Sequence, residues 1–417
     1  MVGRYLAGAS LRLCRQPPLS RGHPSMSSEK LDDICPRLDV LPPQPTQPAS
    51  PPIYAASVYR CDSPEQAEKL LAGELPGYVY SRDGHPNADL LSGKCRELHG
   101  AARAVVCGSG MAALAAAALS QLAAGDHVLV SNQLYGRSSQ LLTSEIARLG
   151  ISGTLVDTCD LTATEAAFTA ATRLVVVETI TNPLLRVPDL AALAELTHAQ
   201  GARLLVDNTF ASPILCRPLQ LGADLVVESL TKIMSGHSDV LLGLLCGRDD
   251  CWGRVPLVLS AWGLSSSPFD CWLAARGLGT LALRIERAAA NALAAARFLA
   301  TRGQVNRVHY PGLPAHPDHH LARRQLGGRF GHMVTFTLAG GRPAAQRFIA
   351  AARRIAFCPS LGDLSTTLSH PASTSHRALS PESREAQGID EGTIRLSVGI
   401  ESAEAVLEAL GEGLAGV

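Results

Sequence analysis

Two segments decide the fold: Val206-Asp207-Asn208-Thr209-Phe210 and Glu228-Ser229-Leu230-Thr231-Lys232. Each follows an apolar run that has the length and composition of a buried strand. Between the two runs, residues 215–221 predict a short helical crossover. Because strands joined by such a crossover end at the same edge of a sheet, Asp207 and Lys232 are predicted to lie together in the cleft where open α/β sheets bind ligands.

Lys232 has the chemistry of a covalent attachment site. The chain contains four lysines, Lys30, Lys69, Lys94 and Lys232, among 37 basic residues, and arginine cannot act as an amine nucleophile. A lysine in this cleft can form a Schiff base with a carbonyl cofactor, and a neighbouring acid is what the ring of pyridoxal phosphate needs. The alternatives are that Asp207 caps the next helix and that Lys232 is a solvated surface charge.

The composition is typical of a two-domain metabolic enzyme. The chain has 417 residues, 46% of them hydrophobic, and equal numbers of acidic and basic residues, 37 each. That balance argues against nucleic acid or a membrane surface as a partner, and no apolar run has transmembrane length. The 11 cysteines include no Cys-x-x-Cys pair, so reduced thiols are predicted. The histidine-rich segment 316–320 lacks fitting cysteine or carboxylate partners, so no metal is predicted.

From residue 101 onward, short apolar runs alternate with helical segments. The predicted strands of this region are 103–107, 127–130, 173–177, 204–206, 225–227 and 240–245. Such alternation predicts an α/β fold with a mostly parallel sheet covered by helices on both faces. Beyond about residue 265, long helices and two apolar runs, 333–338 and 393–398, predict a smaller α+β domain. The predicted domains are an N-terminal extension and arm (1–84), a cofactor-binding large domain (85–265) and a C-terminal small domain (266–417).

The N-terminal residues differ in composition from the rest. Residues 1–28 contain four arginines and no acid, as expected of a mitochondrial transit peptide and equally of an extension translated ahead of a start at Met26. A targeting or disordered segment is therefore predicted there. Residues 41–52 are proline-rich and predict an extended arm. The predicted location is the cytoplasm, or the mitochondrion if residues 1–28 are a transit peptide.

Ten motifs occur in one order along the chain. They are Tyr80-Ser81-Arg82, Ser109-Gly110-Met111, Tyr135-Gly136, Glu178-Thr179-Ile180-Thr181-Asn182-Pro183, Asp207-Asn208-Thr209-Phe210, Ser229-Leu230-Thr231-Lys232, Gly236-His237-Ser238-Asp239, Ser360-Leu361-Gly362-Asp363, His370-Pro371-Ala372-Ser373 and Arg395-Leu396-Ser397-Val398-Gly399. Together they resemble the Cys/Met-metabolism, or transsulfuration, family of pyridoxal phosphate enzymes. That family includes cystathionine γ-synthases, O-acylhomoserine sulfhydrylases and the methionine and cystathionine γ-lyases. The resemblance covers the chain from about residue 53 and implies a fold type I, aspartate-aminotransferase-like architecture with pyridoxal 5'-phosphate as cofactor.

The resemblance also implies roles for individual residues. Lys232 would hold the cofactor and then move protons between substrate carbons, Asp207 would pair with the ring nitrogen, and Tyr135 would stack on the ring as a second catalytic residue. The resemblance also implies that the phosphate is bound by Gly110, Met111, Ser229 and Thr231, and by Tyr80 and Arg82 of a neighbouring subunit. Asn182 would bond the ring oxygen. The substrate carboxylate would be bound by Arg395, Ser360 and Asn182. A site shared in this way implies a homodimer, usually paired into a homotetramer.

The family catalyses two classes of reaction on small sulfur amino acids or O-acylhomoserines. One is γ-replacement on an O-acylhomoserine, which gives cystathionine or homocysteine; the other is carbon–sulfur cleavage, which releases a 2-oxoacid and ammonia. Residues 360–363 and 370–376 are more similar to sulfhydrylases and methionine γ-lyases than to cystathionine γ-lyases. Replacement is favoured over methionine cleavage because Arg137 stands where methionine γ-lyases carry a cysteine and no lysine follows Lys232. Arg137 could hold an anionic acyl group or be an ordinary surface arginine.

Two rival predictions belong to other functional classes. A catalytically silent regulatory protein of the same fold would be indicated by loss of Lys232, Asp207 or Arg395, and all three are present. An aminotransferase is disfavoured by the family motifs between Tyr135 and Lys232. The sequence therefore predicts an enzyme, with replacement as the favoured reaction and cleavage as the alternative.

Overall fold

The computed structural model describes residue 46 and residues 48–377 and 379–417. The predicted transit peptide or extension, residues 1–28, lies outside this part of the chain, as do residues 41–45 and 47 of the predicted proline-rich arm. Residues Pro51–Val417 form one compact unit that contains two β-sheets. Within the described residues, no helix is both long enough and apolar enough to cross a membrane.

Strands and helices alternate along most of the chain. The strands are β1 (Arg103–Cys107), β2 (His127–Ser131), β3 (Ser152–Val156), β4 (Thr172–Glu178), β5 (Arg203–Asp207), β6 (Leu225–Ser229), β7 (Gly243–Gly247), β8 (Val305–His309), β9 (Met333–Leu338), β10 (Ala356–Phe357), β11 (Thr367–Ser369) and β12 (Thr393–Ser397). The α-helices are α1 (Pro64–Leu71), α2 (Pro86–His99), α3 (Gly110–Gln121), α4 (Gly136–Gln140), α5 (Leu161–Ala166), α6 (Leu190–Ala199), α7 (Ser212–Leu215), α8 (Val255–Trp262), α9 (Pro268–Leu278), α10 (Leu281–Ala300), α11 (His319–Gln325), α12 (Gly341–Ala351), α13 (Pro381–Ala386) and α14 (Ala403–Ala415). Short 3₁₀ or π segments lie at Leu141–Glu145, Ile146–Leu149, Pro218–Leu221, Asp249–Cys251 and Pro371–Ser373.

The larger sheet has seven strands in the order β1-β7-β6-β5-β4-β2-β3. Only β7 runs antiparallel to its neighbours β1 and β6, and all the other pairs are parallel. The predicted mostly parallel α/β sheet is therefore confirmed. Its parallel strands end at one edge, and the loops that follow β4, β5 and β6 all leave from there.

Both faces of this sheet are buried, which explains the near-continuous apolar runs of its central strands. Along β5, Leu204 and Val206 pack into one hydrophobic core, whereas Leu205 packs into the core on the opposite face. This alternation follows from the period of two in a strand. The helical crossover predicted at 215–221 consists of α7 and the 3₁₀ turn Pro218–Leu221.

Four strands were not predicted from the sequence: the edge strands β3, β8 and β10, and the three-residue strand β11. β3 closes the large sheet and β8 closes the small one, and most of the residues of each are exposed or half-buried. Because an edge strand needs little apolar surface, neither produces an apolar run in the sequence. The prediction for β7 was displaced, since residues 240–242 precede the strand. There, the amide and carbonyl of Leu242 bond Thr231 rather than a neighbouring strand.

The smaller sheet has the order β10-β11-β12-β9-β8 and is antiparallel except at the pair β10–β11. Helices α10, α12 and α14 supply buried side chains to its hydrophobic core, which includes Phe336 and Phe348. The predicted α+β character of this region is confirmed by these elements. The domain boundaries after residues 84 and 265 stay predictions.

A substitution in the core should lower the stability of the protein more than the same substitution in an edge strand. Leu204 is fully buried in β5, so Leu204→Ala should lower the free energy of unfolding by about 2–5 kcal/mol through lost burial and the cavity it leaves. Leu155→Ala removes the same atoms from the half-exposed edge strand β3 and should change stability by much less. Urea unfolding followed by circular dichroism measures both variants, and equal losses would contradict this assignment of core and edge.

Candidate active site

Three carboxylates lie at the ends of three adjacent strands of the large sheet. Glu178 is the last residue of β4, Asp207 is the last residue of β5, and Glu228 is the penultimate residue of β6. Glu178 and Asp207 are direct register partners. Buried acids at this spacing repel one another in their charged forms, so each needs a nearby cation or a bound proton.

Strand alternation puts Asp207 on the same face of the large sheet as Leu205. Burial raises the pKa of its carboxyl group to about 6, and the charge of Glu228 adds to this shift. Hydrogen bonds from Thr209, including its amide to Oδ1 at 2.9 Å, act in the opposite direction. At neutral pH the carboxylate form still predominates, as a partner for a protonated ring nitrogen must.

Lys232 lies three residues beyond the end of β6 and reaches towards the small-sheet region. Its Nζ donates a hydrogen bond to Oγ of Ser360 at 2.9 Å, which brings two predicted site residues together. Burial, and then the positive charge of Arg395, lower the pKa of the amine. A lowered pKa increases the fraction of neutral amine, which is the form that attacks a carbonyl group.

The loop that carries Lys232 is held by Arg284, a buried residue of α10 that was not predicted from the sequence. Its guanidinium donates to the carbonyl oxygens of Ile233 at 2.5 Å and Met234 at 3.0 Å. Gly236 has a φ of +76°, and a Cβ there would lie 2.0 Å from Nη1 of Arg284. In the sequence, Arg284 could be noticed as a charged residue on the apolar stripe of a helix, but the neighbouring residues do not indicate its hydrogen-bond partners.

A second loop approaches the same segment from the small-sheet region. Gly362 has a φ of +80°, and a Cβ there would lie 2.3 Å from the backbone nitrogen of Ile233. Its amide donates to Oγ of Ser397 at 2.8 Å. Only glycine fits this position, and the close approach keeps Ser360 within reach of Lys232.

Glu178 organises the other side of the cleft and was not predicted as a site residue. Its two carboxyl oxygens accept hydrogen bonds from the amides of Tyr135 at 2.9 Å and Asn182 at 3.0 Å. Burial raises the pKa of Glu178 well above its usual range; the charge of Asp207 adds to this shift, and the two amide bonds and Arg395 oppose it. The residue belongs to a recognised motif, but its role depends on backbone partners that the sequence does not reveal.

Arg395, on β12 of the small sheet, is buried among the predicted substrate-binding residues. It donates from Nη1 to Oδ1 of Asn182 at 2.8 Å and from Nη2 to the carbonyl oxygen of Ser360 at 3.4 Å. Its Nε has no hydrogen-bond partner among the described residues, although it is fully buried. Burial lowers the pKa of Arg395 to about 10, so the group remains a cation at neutral pH. The structure therefore brings Arg395, Asn182 and Ser360 together beside Lys232.

The predicted phosphate seat lies at the start of α3. Ser109 caps this helix by accepting a hydrogen bond from the amide of Ala112 at 3.0 Å, and the first amides of the helix are left free for an anion. Gly110 lies directly against Ser229, because a Cβ on Gly110 would come within 2.9 Å of Cβ of Ser229. Met111, the second residue of α3, brings its amide to the same helix end.

Thr231, another predicted phosphate ligand, is engaged elsewhere. Its hydroxyl donates to the carbonyl oxygen of Leu242 at 3.2 Å and accepts from the amide of the same residue at 3.0 Å. In this arrangement the hydroxyl fastens the Lys232 loop to the segment before β7. A phosphate contact by Thr231 stays a prediction.

The remaining predicted residues are exposed. The side chain of Tyr135 precedes α4, with 39% of its surface accessible, and its ring is free to contact a ligand. Tyr80 and Arg82 lie against each other, with the guanidinium carbon 5.0 Å from the ring centroid. Within the part of the chain that the structure describes, no hydrogen bond joins this pair to Lys232 or Arg395. Their action in a neighbouring subunit stays a prediction.

Pyridoxal 5'-phosphate fits these residues. The glycine at 110 leaves room beside a capped helix start for a dianion, Asp207 supplies the acid for the ring nitrogen, and Lys232 supplies a buried amine of lowered pKa. The unpartnered Nε of buried Arg395 offers a donor for a substrate carboxylate. Among the described residues, no group of three His, Cys, Asp or Glu side chains is arranged to hold a metal ion.

Comparisons with known proteins agree with this site. A protein-family model described as "Cys/Met metabolism PLP-dependent enzyme" matches residues 39–415. The chain is 42% identical to O-succinylhomoserine sulfhydrylase of Pseudomonas aeruginosa, over 87% of this chain and 90% of that protein. It is 39% identical to L-methionine gamma-lyase of Porphyromonas gingivalis, over 87% and 92% of the two chains. A crystal structure of cystathionine gamma synthase from Xanthomonas oryzae superposes with a TM-score of 0.83 at 38% identity, covering 88% of this chain and 93% of that one.

Replacement of Lys232 tests the covalent site. Lys232→Ala should abolish the visible absorption band of bound pyridoxal phosphate and leave no activity, because the only amine in the cleft is removed. Lys94→Ala removes an exposed lysine from α2 and serves as the control. Absorption spectra of the purified proteins decide the matter, and an unchanged band in Lys232→Ala would refute the assignment.

Proposed function

The chain belongs to the Cys/Met metabolism family of pyridoxal phosphate-dependent enzymes, and we propose that it catalyses γ-replacement on an O-acylhomoserine. In this reaction a thiol or sulfide takes the place of the acyl group at the γ-carbon, and cystathionine or homocysteine is formed. The likeness to cystathionine gamma synthase and O-succinylhomoserine sulfhydrylase supports the proposal. Family membership also confirms the predicted fold type I architecture, the cofactor and the predicted enzyme class.

The observation that carries the proposal is the hydrogen bond of Lys232 to Ser360, whose carbonyl oxygen accepts a hydrogen bond from Arg395. Arg395 and Asn182 would bind the α-carboxylate of the amino-acid substrate, since a planar guanidinium suits a carboxylate. With the carboxylate held there, the substrate Cα lies next to the Nζ of Lys232, which bonds Ser360. The bound cofactor supplies an electron-accepting ring that stabilises negative charge at Cα.

Lys232 is then the group that moves protons. As a neutral amine it would take a proton from Cα and then one from Cβ, so that the acyl group can leave the γ-carbon as a carboxylate. It would return protons to both carbons after the thiol has added. Its lowered pKa favours this use near neutral pH. Asp207 would hold the proton of the ring nitrogen, and Glu178 would keep Tyr135 and Asn182 in place through their amides.

Arg137 gives a reason to prefer a dicarboxylic acyl group. It is an exposed residue on the first turn of α4, shortly after the predicted ring-stacking Tyr135, and its Nη1 donates to Oε1 of Gln140 at 2.6 Å. A guanidinium at this point can attract the free carboxylate of a succinyl group, which an acetyl group lacks. The likeness to a sulfhydrylase of O-succinylhomoserine agrees with this choice.

Carbon–sulfur cleavage is the second candidate. It is supported by the 39% identity to a methionine gamma-lyase, and it would use the same Lys232 and Arg395. In cleavage the group that leaves the substrate carbon is a thiol rather than a carboxylate, and water rather than an incoming thiol completes the reaction and releases the 2-oxoacid and ammonia. The rival of a catalytically silent protein is opposed by the intact contact between Lys232 and Ser360.

The oligomeric state and location complete the proposal. Exposed Tyr80 and Arg82 would reach the phosphate of a neighbouring subunit, so the active unit would be a homodimer, paired into a homotetramer. All nine cysteines of the described residues are free thiols, which suits a reducing compartment such as the cytoplasm.

Product analysis separates the two reactions. Purified protein with O-succinylhomoserine and cysteine or sulfide should form cystathionine or homocysteine faster than it forms 2-oxoacid from cystathionine or methionine alone. Chromatography quantifies the amino-acid products, and a coupled dehydrogenase assay quantifies the oxoacid. Predominant oxoacid with little thioether would instead make the protein a carbon–sulfur lyase.

Arg137 makes the choice of acyl group testable. Arg137→Ala should raise KM for O-succinylhomoserine about tenfold, the size expected for one lost charged hydrogen bond, and leave KM for O-acetylhomoserine nearly unchanged. Arg148→Ala removes another exposed arginine nearby, paired only with Glu145 among the described residues, and is the matched control. Initial rates over a range of both substrates give the comparison, and equal effects on the two esters would exclude a role in acyl recognition.

A further inference from the structure

A buried acid–base pair lies behind the candidate active site. Glu228 and His99 have no solvent exposure, and Nε2 of His99 lies 3.5 Å from Oε1 of Glu228. The same oxygen accepts a hydrogen bond from Nδ2 of Asn208 at 2.7 Å. The other oxygen of Glu228 and both ring nitrogens of His99 have no hydrogen-bond partner among the described residues. Neither residue takes part in the proposed γ-replacement chemistry.

The position of Glu228 is one where an apolar residue would be expected. Strand alternation puts its side chain on the same face of β6 as Val226, which is fully buried in the core. A buried carboxylate destabilises a protein unless it is paired, and even a buried ion pair adds little stability compared with a well-packed apolar pair. Stability alone therefore does not account for Glu228 and His99 in this core.

A short polar network connects the pair to the strand that carries Asp207. Asn208 directly follows Asp207, and its amide donates to the carbonyl oxygen of Val227 at 2.9 Å. Its side chain donates to Glu228 and accepts at 2.6 Å from the hydroxyl of Thr179, just beyond the end of β4. Glu228 is thus fixed on one face of the sheet while Asp207 lies on the other. After burial, the charge of Glu228 is among the causes that raise the pKa of Asp207.

We propose that Glu228 and His99 are positioning residues whose shared charge sets how tightly Asp207 and the cofactor ring nitrogen hold their proton. The proposal rests on the proposed role of Asp207 as the partner of that nitrogen. A negative charge behind the sheet favours a proton in front of it, and a protonated ring is the better electron acceptor. His99 belongs to the pair because its Nε2 lies 3.5 Å from Oε1 of Glu228.

The ionisable groups around Glu228 come from four elements. His99 and Cys95 lie on α2, Asp207 lies at the end of β5, and Cys246 lies on β7. Cys216, which follows α7, also lies within reach of its charge. Burial raises the pKa values of all three thiols far from neutrality, so they stay uncharged in the working range. His99 is left as the one basic side chain of this group.

Glu228→Gln in the holoenzyme is the direct test. The amide keeps the shape and the bond to Asn208 but removes the negative charge, so the pH titration of the cofactor absorption band should move to lower pH. A shift of about one pH unit is expected for loss of a unit charge on the order of 10 Å away at an effective dielectric constant of about 20. Glu228→Asp keeps the charge and should restore a midpoint close to that of the wild type.

A control and a second measurement keep the proposal open to refutation. Cys271→Ala changes a fully buried, uncharged residue of the same core and should leave the midpoint unchanged. Melting temperatures of all variants report any purely structural role. If Glu228→Gln lowers the melting temperature but leaves the midpoint where it was, the pair is only structural and the proposal fails.

His99→Gln is the alternative if Glu228→Gln does not fold. It removes the basic partner of Glu228, so the titration midpoint must move, and an unmoved midpoint overturns the proposal. Failure of the proposed cofactor site would look different. In that case the wild-type protein itself would lack a titrating band, whereas failure of the proposed role of Glu228 leaves the band intact and insensitive to Glu228.

Discussion

Burial of three carboxylates at the ends of adjacent strands is the constraint on which the rest of the site depends. A carboxylate removed from water needs a cation, hydrogen-bond donors or a proton, and Glu178, Asp207 and Glu228 satisfy that need in different ways. Glu178 receives two backbone amides with Arg395 nearby, and Glu228 faces His99. Asp207 accepts hydrogen bonds from Thr209 and is the acid that we propose pairs with the ring nitrogen of the cofactor. The three acids thus differ in their hydrogen-bond and charge partners, and these partners determine what each acid can do.

The same constraint joins the two sheets. Arg395 belongs to the small sheet, but its hydrogen bond to Asn182 ends on a loop of the large sheet. In the opposite direction, Lys232 leaves the large sheet and bonds Ser360, while Gly362 packs on the backbone next to it. The amine of Lys232, the carboxyl group of Asp207 and the guanidinium of Arg395 therefore keep their geometry only if both sheets keep theirs. Arg284 reinforces this arrangement by fixing the carbonyl groups behind Lys232.

The sequence allowed the main features of this arrangement to be predicted, but not all of them. Lys232 and Asp207 could be found because each follows an apolar run, and the ends of parallel strands meet. Arg284, Glu178 and the pair of Glu228 with His99 could not be found, because their importance lies in partners distant in sequence. The edge strands β3 and β8 were missed for a related reason, since exposed strands carry no apolar pattern. Local sequence patterns thus indicate which residues can carry out chemistry, and contacts between residues distant in sequence determine the position and pKa of each group.

The scarcity of lysine has a consequence for how the protein meets its cofactor. Pyridoxal phosphate is an aldehyde that condenses with any accessible primary amine, so ordinary surface lysines compete for it. Arginine does not condense in this way, and it supplies almost all the basic charge of this chain. Among the described residues, only Lys69 and Lys94 offer exposed lysine amines besides the one in the cleft. The described surface therefore has few lysine amines that can react with an aldehyde, so little cofactor is lost in unproductive adducts.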